Sequence, residues 1–164
     1  ANSATILVTA GSVEKTEACL RLGADRAINY RSADFYGLLE SEYGPNCIDV
    51  ILDPVGGSHF PKNIKLLRNG GRLIIIAVLG GHQTELNLAS VLLKRLRIIG
   101  SNLRNRPLGE RIEIRNRVIA EVWPLISSEL VEPVIDSVFP VEEAEKAHQH
   151  MAENRNIGKI VLTF

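Results

Sequence analysis

Short, continuously apolar runs alternate along most of this chain with stretches in which apolar residues recur at helical spacing. The clearest run is Arg72–Val78, which carries six apolar residues after its arginine and is followed by Leu79-Gly80-Gly81. Strands that are apolar at nearly every position are buried on both faces, which is typical of a parallel sheet covered by helices. The pattern therefore predicts an α/β fold with a Rossmann-like, doubly wound parallel sheet.

Caps, glycines and prolines set the expected limits of the individual elements. Strands are expected at Thr5–Thr9, Arg26–Tyr30, Cys47–Asp53, Arg72–Val78, Arg97–Ser101, Val134–Phe139 and Lys159–Phe164. Helices are expected at Val13–Leu22, from the N-cap Ser32 to Ser41, at Ser58–Leu67, Leu88–Arg95, Pro107–Pro124 and Val141–His148.

Composition and charge narrow the class of protein. The chain has 164 residues, a formal net charge of zero and 45% hydrophobic residues, which is ordinary for one globular domain. A neutral chain favours neither nucleic acid nor an anionic membrane, and the basic residues between Lys94 and Arg117 are interleaved with apolar ones, as on a solvated helix face. The two cysteines, Cys19 and Cys47, lie in apolar patterns and fit a reducing compartment. With no membrane-length apolar run and no signal peptide, we expect a cytoplasmic protein.

Chemistry in such a sheet is expected beyond the carboxyl ends of the strands. Most of these ends are small or glycine-rich, which lets a ligand approach the backbone closely. They are Ala10-Gly11-Ser12, Asn29-Tyr30, Asp53–Gly57, Val78–Gly81 and Gly100–Leu103. Together they predict a long, flat ligand lying across the sheet.

The turn after the first strand holds a hydroxyl and an ammonium, from Ser12 and Lys15, where NAD-binding sheets usually carry an acid. Such a turn suits the 2′-phosphate of NADP(H). The alternative is a helix N-cap followed by a surface lysine, and the residues alone favour it. Tyr30 can cover an adenine or meet a ribose phosphate, or it can be an ordinary core or surface tyrosine.

Several motifs are absent from the sequence. It contains no Gly-x-Gly-x-x-Gly turn for a pyrophosphate, no nucleophile elbow, no phosphate loop and no Cys-x-x-Cys pair. His148 and His150 are two apart on a predicted helix and cannot share a metal ion. Asp53 is expected to cap the turn before Pro54 in preference to serving a cofactor.

Taken in order, several segments resemble the zinc-independent quinone oxidoreductases of the medium-chain dehydrogenase/reductase superfamily, most of all the p53-inducible type. The segments are Val8–Lys15, Leu22–Tyr30, Asp49–Gly57, Asn69–Arg72, Leu92–Arg95 and Asn154–Leu162.

The resemblance implies hydride transfer from NADPH to a quinone, without a metal and without an obvious proton-transfer residue. It assigns the 2′-phosphate to Ser12 and Lys15, with help from Tyr30. It assigns the nicotinamide half to Leu79, Gly80, Ser101, Asn102 and Leu103. It brings Asn156 to the cofactor from the tail.

The sequence departs from that family at its start, where members carry a substrate-binding domain, a first strand and a glycine-rich turn. We therefore expect a carboxyl-terminal portion over residues 1–164, inactive alone. In the order 3-2-1-4-5-6 the missing strand is the central one. Strands Thr5–Thr9 and Cys47–Leu52 then either close on each other or leave a gap that another segment or chain fills. Unpaired edges predict self-association, as a homodimer or larger.

Two other functions stay open. One is a non-catalytic NADP(H)-binding or assembly module, which would have to bind the nucleotide unaided. The other is a different doubly wound protein such as a methyltransferase, which would need a glycine-rich turn and a ribose-binding acid that the sequence lacks.

Overall fold

The computed structural model describes residues 4–164. The described residues form two compact units, one that ends at Asn105 and one over Arg106–Phe164. No helix in the described residues is both long enough and apolar enough to cross a membrane.

The first unit alternates strands and helices as the apolar pattern predicts. Its strands are β1 (Leu7–Ala10), β2 (Arg26–Asn29), β3 (Ile48–Asp53), β4 (Leu67–Ile75) and β5 (Arg97–Gly100). Its helices are α1 (Val13–Arg21), α2 (Phe35–Tyr43), α3 (Phe60–Leu66) and α4 (Leu88–Lys94). All strand pairs are parallel, which confirms the predicted sheet type.

The sheet of this unit is split into two parts. In the described residues β1 pairs only with β2, while β3, β4 and β5 form a separate ladder in that order. The strands β1 and β3 therefore do not close on each other, and each keeps one edge without a ladder partner in the described chain. Of the two outcomes expected for these strands, the structure shows the open one.

Side chains join the two parts where backbone hydrogen bonds do not. A buried cluster of Ile28, Phe35, Leu39 and Leu66 packs against Leu7 of β1 and Ile51 of β3. A second cluster, centred on Leu67 and Leu73, fills the space between β4 and the helices α3 and α4. Burial of this apolar surface is what keeps both parts in one unit.

Some element limits differ from those expected. Helix α2 begins after Asp34 instead of Ser32, because the Asp34 carboxylate accepts a 3.2 Å hydrogen bond from the Gly37 amide. Strand β4 begins at Leu67, and a register shift accommodates the extra residues around Gly70, whose φ is +75°. It ends at Ile75, so that Ile76–Val78 lie beyond the ladder.

Lys94, at the end of α4, closes the carboxyl end of α3. Its ammonium donates to the carbonyl oxygens of Ile64, Lys65 and Leu67 at 3.1, 2.9 and 3.0 Å. These carbonyls have no partner within the helix, so the lysine satisfies them and ties two helices together.

The second unit contains helices α5 (Leu108–Arg117) and α6 (Trp123–Ser127), joined by a π-helical turn at Val118–Val122, then α7 (Ala144–Ala152). Strands β6 (Ile135–Pro140) and β7 (Lys159–Thr163) pair in parallel. The helix expected to open near Pro107 therefore forms, interrupted by the π turn.

Candidate functional site

The carboxyl ends of β1 and β2 lie side by side, with Ala10 opposite Asn29. After β1 the chain enters α1 through Ser12, whose hydroxyl accepts a 3.2 Å hydrogen bond from the Lys15 amide. Ser12 is thus the N-cap that the sequence favoured as its alternative role. A cap hydroxyl at the start of a helix also stands where anions bind, so the cap does not contradict a phosphate-binding role.

Glu14 adds a carboxylate to this same turn. The pKa of Glu14 lies below its usual range because its own backbone amide and the Ser12 hydroxyl hydrogen-bond its charged form. The turn therefore carries an anion in addition to the Ser12 hydroxyl and the Lys15 ammonium. The formal charges of Glu14 and Lys15 cancel.

Tyr30 and Arg31, which follow β2, lean over the turn that follows β1. The Tyr30 hydroxyl oxygen lies 2.8 Å, and the Arg31 Nε 3.4 Å, from the position that a Cβ on Gly11 would occupy. Only glycine leaves room for this approach. The Tyr30 amide also donates to the Ala10 carbonyl at 3.1 Å, which fixes the two strand ends together.

His59 packs against Tyr30. Its ring meets Tyr30 edge-on, with centroids 5.2 Å apart, and lies 4.9 Å from the Phe35 ring. Burial, with a contribution from Lys62, lowers the pKa of His59 although Asp53 opposes the shift. The imidazole is therefore an uncharged packing partner at neutral pH.

A second candidate region is an open cleft of about 670 Å³ at the ends of β4 and β5. Such a volume is in the range of small-molecule sites. The cleft is lined by Ile75, Ile76, Ala77, Val78, Gly100, Ser101, Asn102, Leu103 and Arg104. Ser101, Asn102 and Leu103, predicted for the nicotinamide half, therefore come together here.

Gly100 leaves the floor of this cleft open. A Cβ placed on it would meet no atom within 4 Å, and its φ is not in the left-handed region. The position therefore tolerates a side chain sterically, and that side chain would occupy space that a ligand could use.

Leu79 and Gly80, the other two residues predicted for the nicotinamide half, do not line the cleft. Leu79 is exposed, and its amide donates to Pro54 at 3.1 Å. The Gly80 amide donates to Val55 at 2.7 Å, and a Cβ on Gly80 would lie 2.5 Å from the Ser58 hydroxyl. Packing between the loops after β3 and β4 thus accounts for this glycine.

The glycine pairs after β3 and β4 do not form a pyrophosphate cradle. Their four amides already donate to protein oxygens, from Gly56 to the Asp53 carboxylate, from Gly57 to Gly81, from Gly80 to Val55 and from Gly81 to Val78. A phosphate binds at backbone amides that are unengaged. The residues present therefore fit the two ends of a dinucleotide better than its middle.

Asp53 caps the turn after β3, as expected. Its carboxylate is buried and accepts hydrogen bonds from the amides of Val55 and Gly56 at 2.7 and 3.0 Å and from Asn63 Nδ2 at 3.0 Å. A carboxylate committed to three donors holds the loop and has little capacity left for a ligand.

Asn156 lies in the second unit, where its Nδ2 donates to the Gly158 carbonyl at 3.0 Å. The neighbouring Ile157 amide donates to Asp136 Oδ1 at 2.7 Å, and His150 Nε2 lies 2.8 Å from Asp136 Oδ2. The Ile157 amide first, and His150 second, hold the pKa of Asp136 below its usual range. The loop that carries Asn156 is therefore anchored, and the cofactor role of Asn156 stays a prediction.

Sequence reasoning missed Arg31 and the lining residues Ile76 and Ala77, whereas Val78 and Gly100 lie in strand ends where a ligand is expected. The apolar pattern predicts strand at Ile76–Val78, because apolar cleft-lining residues and apolar strand residues look alike. The position of Arg31 could have indicated a site residue, since Arg31 directly follows Tyr30 at the end of a predicted strand. Among residues 4–164 no group of three or more His, Cys, Asp or Glu side chains is placed to hold a metal ion.

Comparison with known proteins places these features in a family context. A family model described as zinc-binding dehydrogenase matches residues 22–162. The quinone oxidoreductase of Rattus norvegicus is 29% identical over 163 residues, which cover 99% of this chain and 48% of that protein. The chain therefore spans about half the length of the curated relatives it matches.

Solved structures agree with the fold. The quinone oxidoreductase of Thermus thermophilus, whose structures include a complex with NADPH, has a TM-score of 0.81 at 26% identity over 98% of this chain and 50% of that one. An NAD-dependent alcohol dehydrogenase has a TM-score of 0.82 at 28% identity over 98% of this chain and 44% of that one. The predicted Rossmann-like fold and the resemblance to quinone oxidoreductases are confirmed.

Proposed function

Because the chain belongs to the zinc-binding dehydrogenase family, we propose that it supplies the NADPH-binding part of an oxidoreductase that reduces quinones. Since the chain spans about half of its relatives, the complete reaction belongs in this proposal to a protein of which the chain is one part. The single observation that carries the proposal is the cleft beyond β4 and β5, which unites Ser101, Asn102 and Leu103.

The cleft offers two kinds of surface to a nicotinamide ring. Ile76 and Val78 provide apolar contacts along one strand end, and Ser101 and Asn102 provide polar groups along the other. Asn102 Oδ1 already accepts from the amides of Arg104 and Asn105 at 2.9 and 3.4 Å, so its remaining polar group is the NH₂ donor. These residues would orient the ring and exclude water from one face.

NADPH bound there supplies the hydride. None of the residues lining the cleft is a histidine, aspartate, glutamate, lysine, tyrosine or cysteine. In the proposal the chain therefore acts by positioning the cofactor and not by proton transfer. Operation without zinc is part of the same proposal, as is a cytoplasmic setting.

The preference for NADPH over NADH rests in this proposal on Ser12, Lys15 and Tyr30. Ser12 and Lys15 lie at the start of α1, and the Tyr30 hydroxyl approaches Gly11 in the turn before it. Hydroxyl and ammonium groups are donor types that hold a phosphate. In a protein that contains the chain and its substrate-binding part, Lys15→Ala should raise the KM for NADPH about tenfold and leave that for NADH unchanged. An unchanged KM for NADPH would contradict the clamp.

The experiment that tests the cleft is an amide chemical-shift titration of this chain with millimolar NADPH. We expect the Ser101, Asn102 and Leu103 amides to shift. Gly100→Val should weaken the shifts because it adds a side chain to the lining of the cleft, at a position where a Cβ meets no atom within 4 Å. The matched control is Gly109→Val, because a Cβ on Gly109 also meets no atom within 4 Å. Absence of shifts in the unmodified chain would contradict the proposal.

Measurements on this chain alone distinguish a fragment of an enzyme from a module that binds NADPH unaided. Because the glycine amides are engaged, we expect weak binding of NADPH and no quinone-dependent oxidation of NADPH above the uncatalysed rate. Micromolar binding of NADPH by calorimetry would favour the non-catalytic binding module. Measurable oxidation would show that the engaged amides do not prevent catalysis.

A further inference from the structure

We infer that Arg31 is a specificity-determining residue, which binds the 2′-phosphate together with Ser12, Lys15 and Tyr30. The inference rests on the proposed function and adds a residue from a second strand to that site. It assigns the chain a preference for adenosine nucleotides that carry a 2′-phosphate over those that do not.

The geometry brings Arg31 to the turn. Its amide donates to Asn29 Oδ1 at 3.0 Å, so that the backbone directly after β2 is held in a tight turn. Its Nε lies 3.4 Å from the position of a Cβ on Gly11, on the side that the Tyr30 hydroxyl also approaches. A guanidinium and a phenol hydroxyl thus converge on one glycine between β1 and α1.

The charges of the turn require another cation. A 2′-phosphate carries between one and two negative charges near neutral pH. Glu14 and Lys15 cancel formally, and the Ser12 hydroxyl already accepts the Lys15 amide. A phosphate bound by α1 alone would therefore face a turn without net charge.

Arg31 is the cation best placed to supply the missing charge. The nearby Lys62 pairs with Asp34 at 2.8 Å, and burial lowers the pKa of His59. Within residues 4–164 the structure shows no ion pair of the Arg31 guanidinium. A guanidinium also matches phosphate oxygens with two parallel donors, which an ammonium does not.

The experiment compares two probes that need no pyrophosphate cradle and no nicotinamide pocket. Adenosine 2′,5′-bisphosphate and 5′-AMP are titrated into this chain by calorimetry or by amide chemical shift. The variants are Arg31→Gln, Arg31→Lys and Lys15→Ala, and the matched control is Arg21→Gln in the last turn of α1.

We expect the unmodified chain to bind the bisphosphate more tightly than 5′-AMP. Arg31→Gln should lower the affinity for the bisphosphate about tenfold, as expected for the loss of one charge-assisted contact, without changing the affinity for 5′-AMP. Arg31→Lys should recover part of the loss, and Arg21→Gln should have no effect. If Arg31 only maintains the local structure, Arg31→Gln should lower the affinity for both nucleotides equally.

Two results would overturn the inference and separate it from the proposed function. If the bisphosphate is preferred and Lys15→Ala removes the preference while Arg31→Gln does not, the phosphate site stands and Arg31 has no part in it. If the unmodified chain binds both probes equally, or neither, the role of Arg31 fails, while the cleft beyond β4 and β5 is judged separately by Gly100→Val.

Discussion

Asn63 donates a 3.0 Å hydrogen bond from its side-chain amide to the carboxylate of Asp53, and both residues are buried. This contact ties α3 to the loop after β3, which in turn is hydrogen-bonded to the loop after β4. The position of the cleft-forming strand end thus depends on a polar pair within the core.

Replacing Asn63 tests this dependence. Asn63→Ala removes one donor to a buried carboxylate and should lower the free energy of unfolding by about 2 kcal/mol. The measurement is urea unfolding followed by circular dichroism. Asn69→Ala, at an exposed position, is the control and should change the free energy little; equal effects of the two variants would contradict the prediction.

Lys94 offers a second test of how the helices are held. Lys94→Met keeps the aliphatic stem but removes the donor to two carbonyls of α3 and to that of Leu67 at the start of β4. It should lower the free energy of unfolding by about 2 kcal/mol. Lys146→Met removes only an exposed ion pair with Glu143 and should cost less than about 0.5 kcal/mol. The measurement is thermal unfolding of both variants. A Lys94→Met variant as stable as the unmodified chain would contradict the prediction, because water would then satisfy the carbonyls as well as the lysine does.

His59 should make stability depend on pH. Its pKa in the folded chain is lowered, mainly by burial, so the unfolded chain binds the proton more tightly than the folded one. The stability that results is fully present above the ordinary histidine pKa of 6.5 and is lost as the pH falls below it.

The measurement for His59 is the free energy of unfolding at several pH values in the unmodified chain and in His59→Phe. Phenylalanine keeps the packing against Tyr30 and Phe35, and the variant should lose less stability on acidification. His82→Phe, on an exposed loop, should follow the unmodified chain. Identical pH profiles for all three proteins would exclude His59 as the group responsible.

The edge of β3 should drive self-association. In the described residues β3 pairs with β4 along one edge and has no strand partner along the other. Leu52 of this strand is 62% exposed. An unpaired apolar strand edge can pair with a second chain. Light scattering should show concentration-dependent oligomers, and Leu52→Lys should reduce them. Leu93→Lys places the same charge at an exposed leucine of α4 and should leave association unchanged. A chain that stays monomeric at every concentration would contradict the prediction.

The alternation of apolar runs was enough to predict the parallel sheet, because strands of such a sheet are apolar at most positions. The split of the sheet was one of the two outcomes expected from the missing strand, and the sequence did not decide between them. Cap choice was not, since Ser32 and Asp34 are equally good N-cap types and only the backbone shows which one bonds the helix. For the site, Ser101, Asn102 and Leu103 lie together in one cleft, and their role toward the cofactor stays a prediction.

Leu79 and Gly80 illustrate what the sequence does not reveal. A glycine that lets a ligand approach the backbone cannot be distinguished in the sequence from a glycine that lets two loops pack closely. The distinction is in the contacts, here the 2.7 Å hydrogen bond from Gly80 to Val55. The opposing charge of Glu14 was readable from the sequence but acquires meaning only through its hydrogen bond with Ser12.

The seam between β1 and β3 has a consequence for motion. No ladder bond crosses it in the described chain, and what holds it is the packing of side chains such as Leu7, Ile28 and Leu39. The β1-α1-β2 segment can therefore separate from the other three strands without breaking one hydrogen bond between strands, as a unit of local unfolding. Its amide hydrogens should exchange together with solvent, sooner than those of β4.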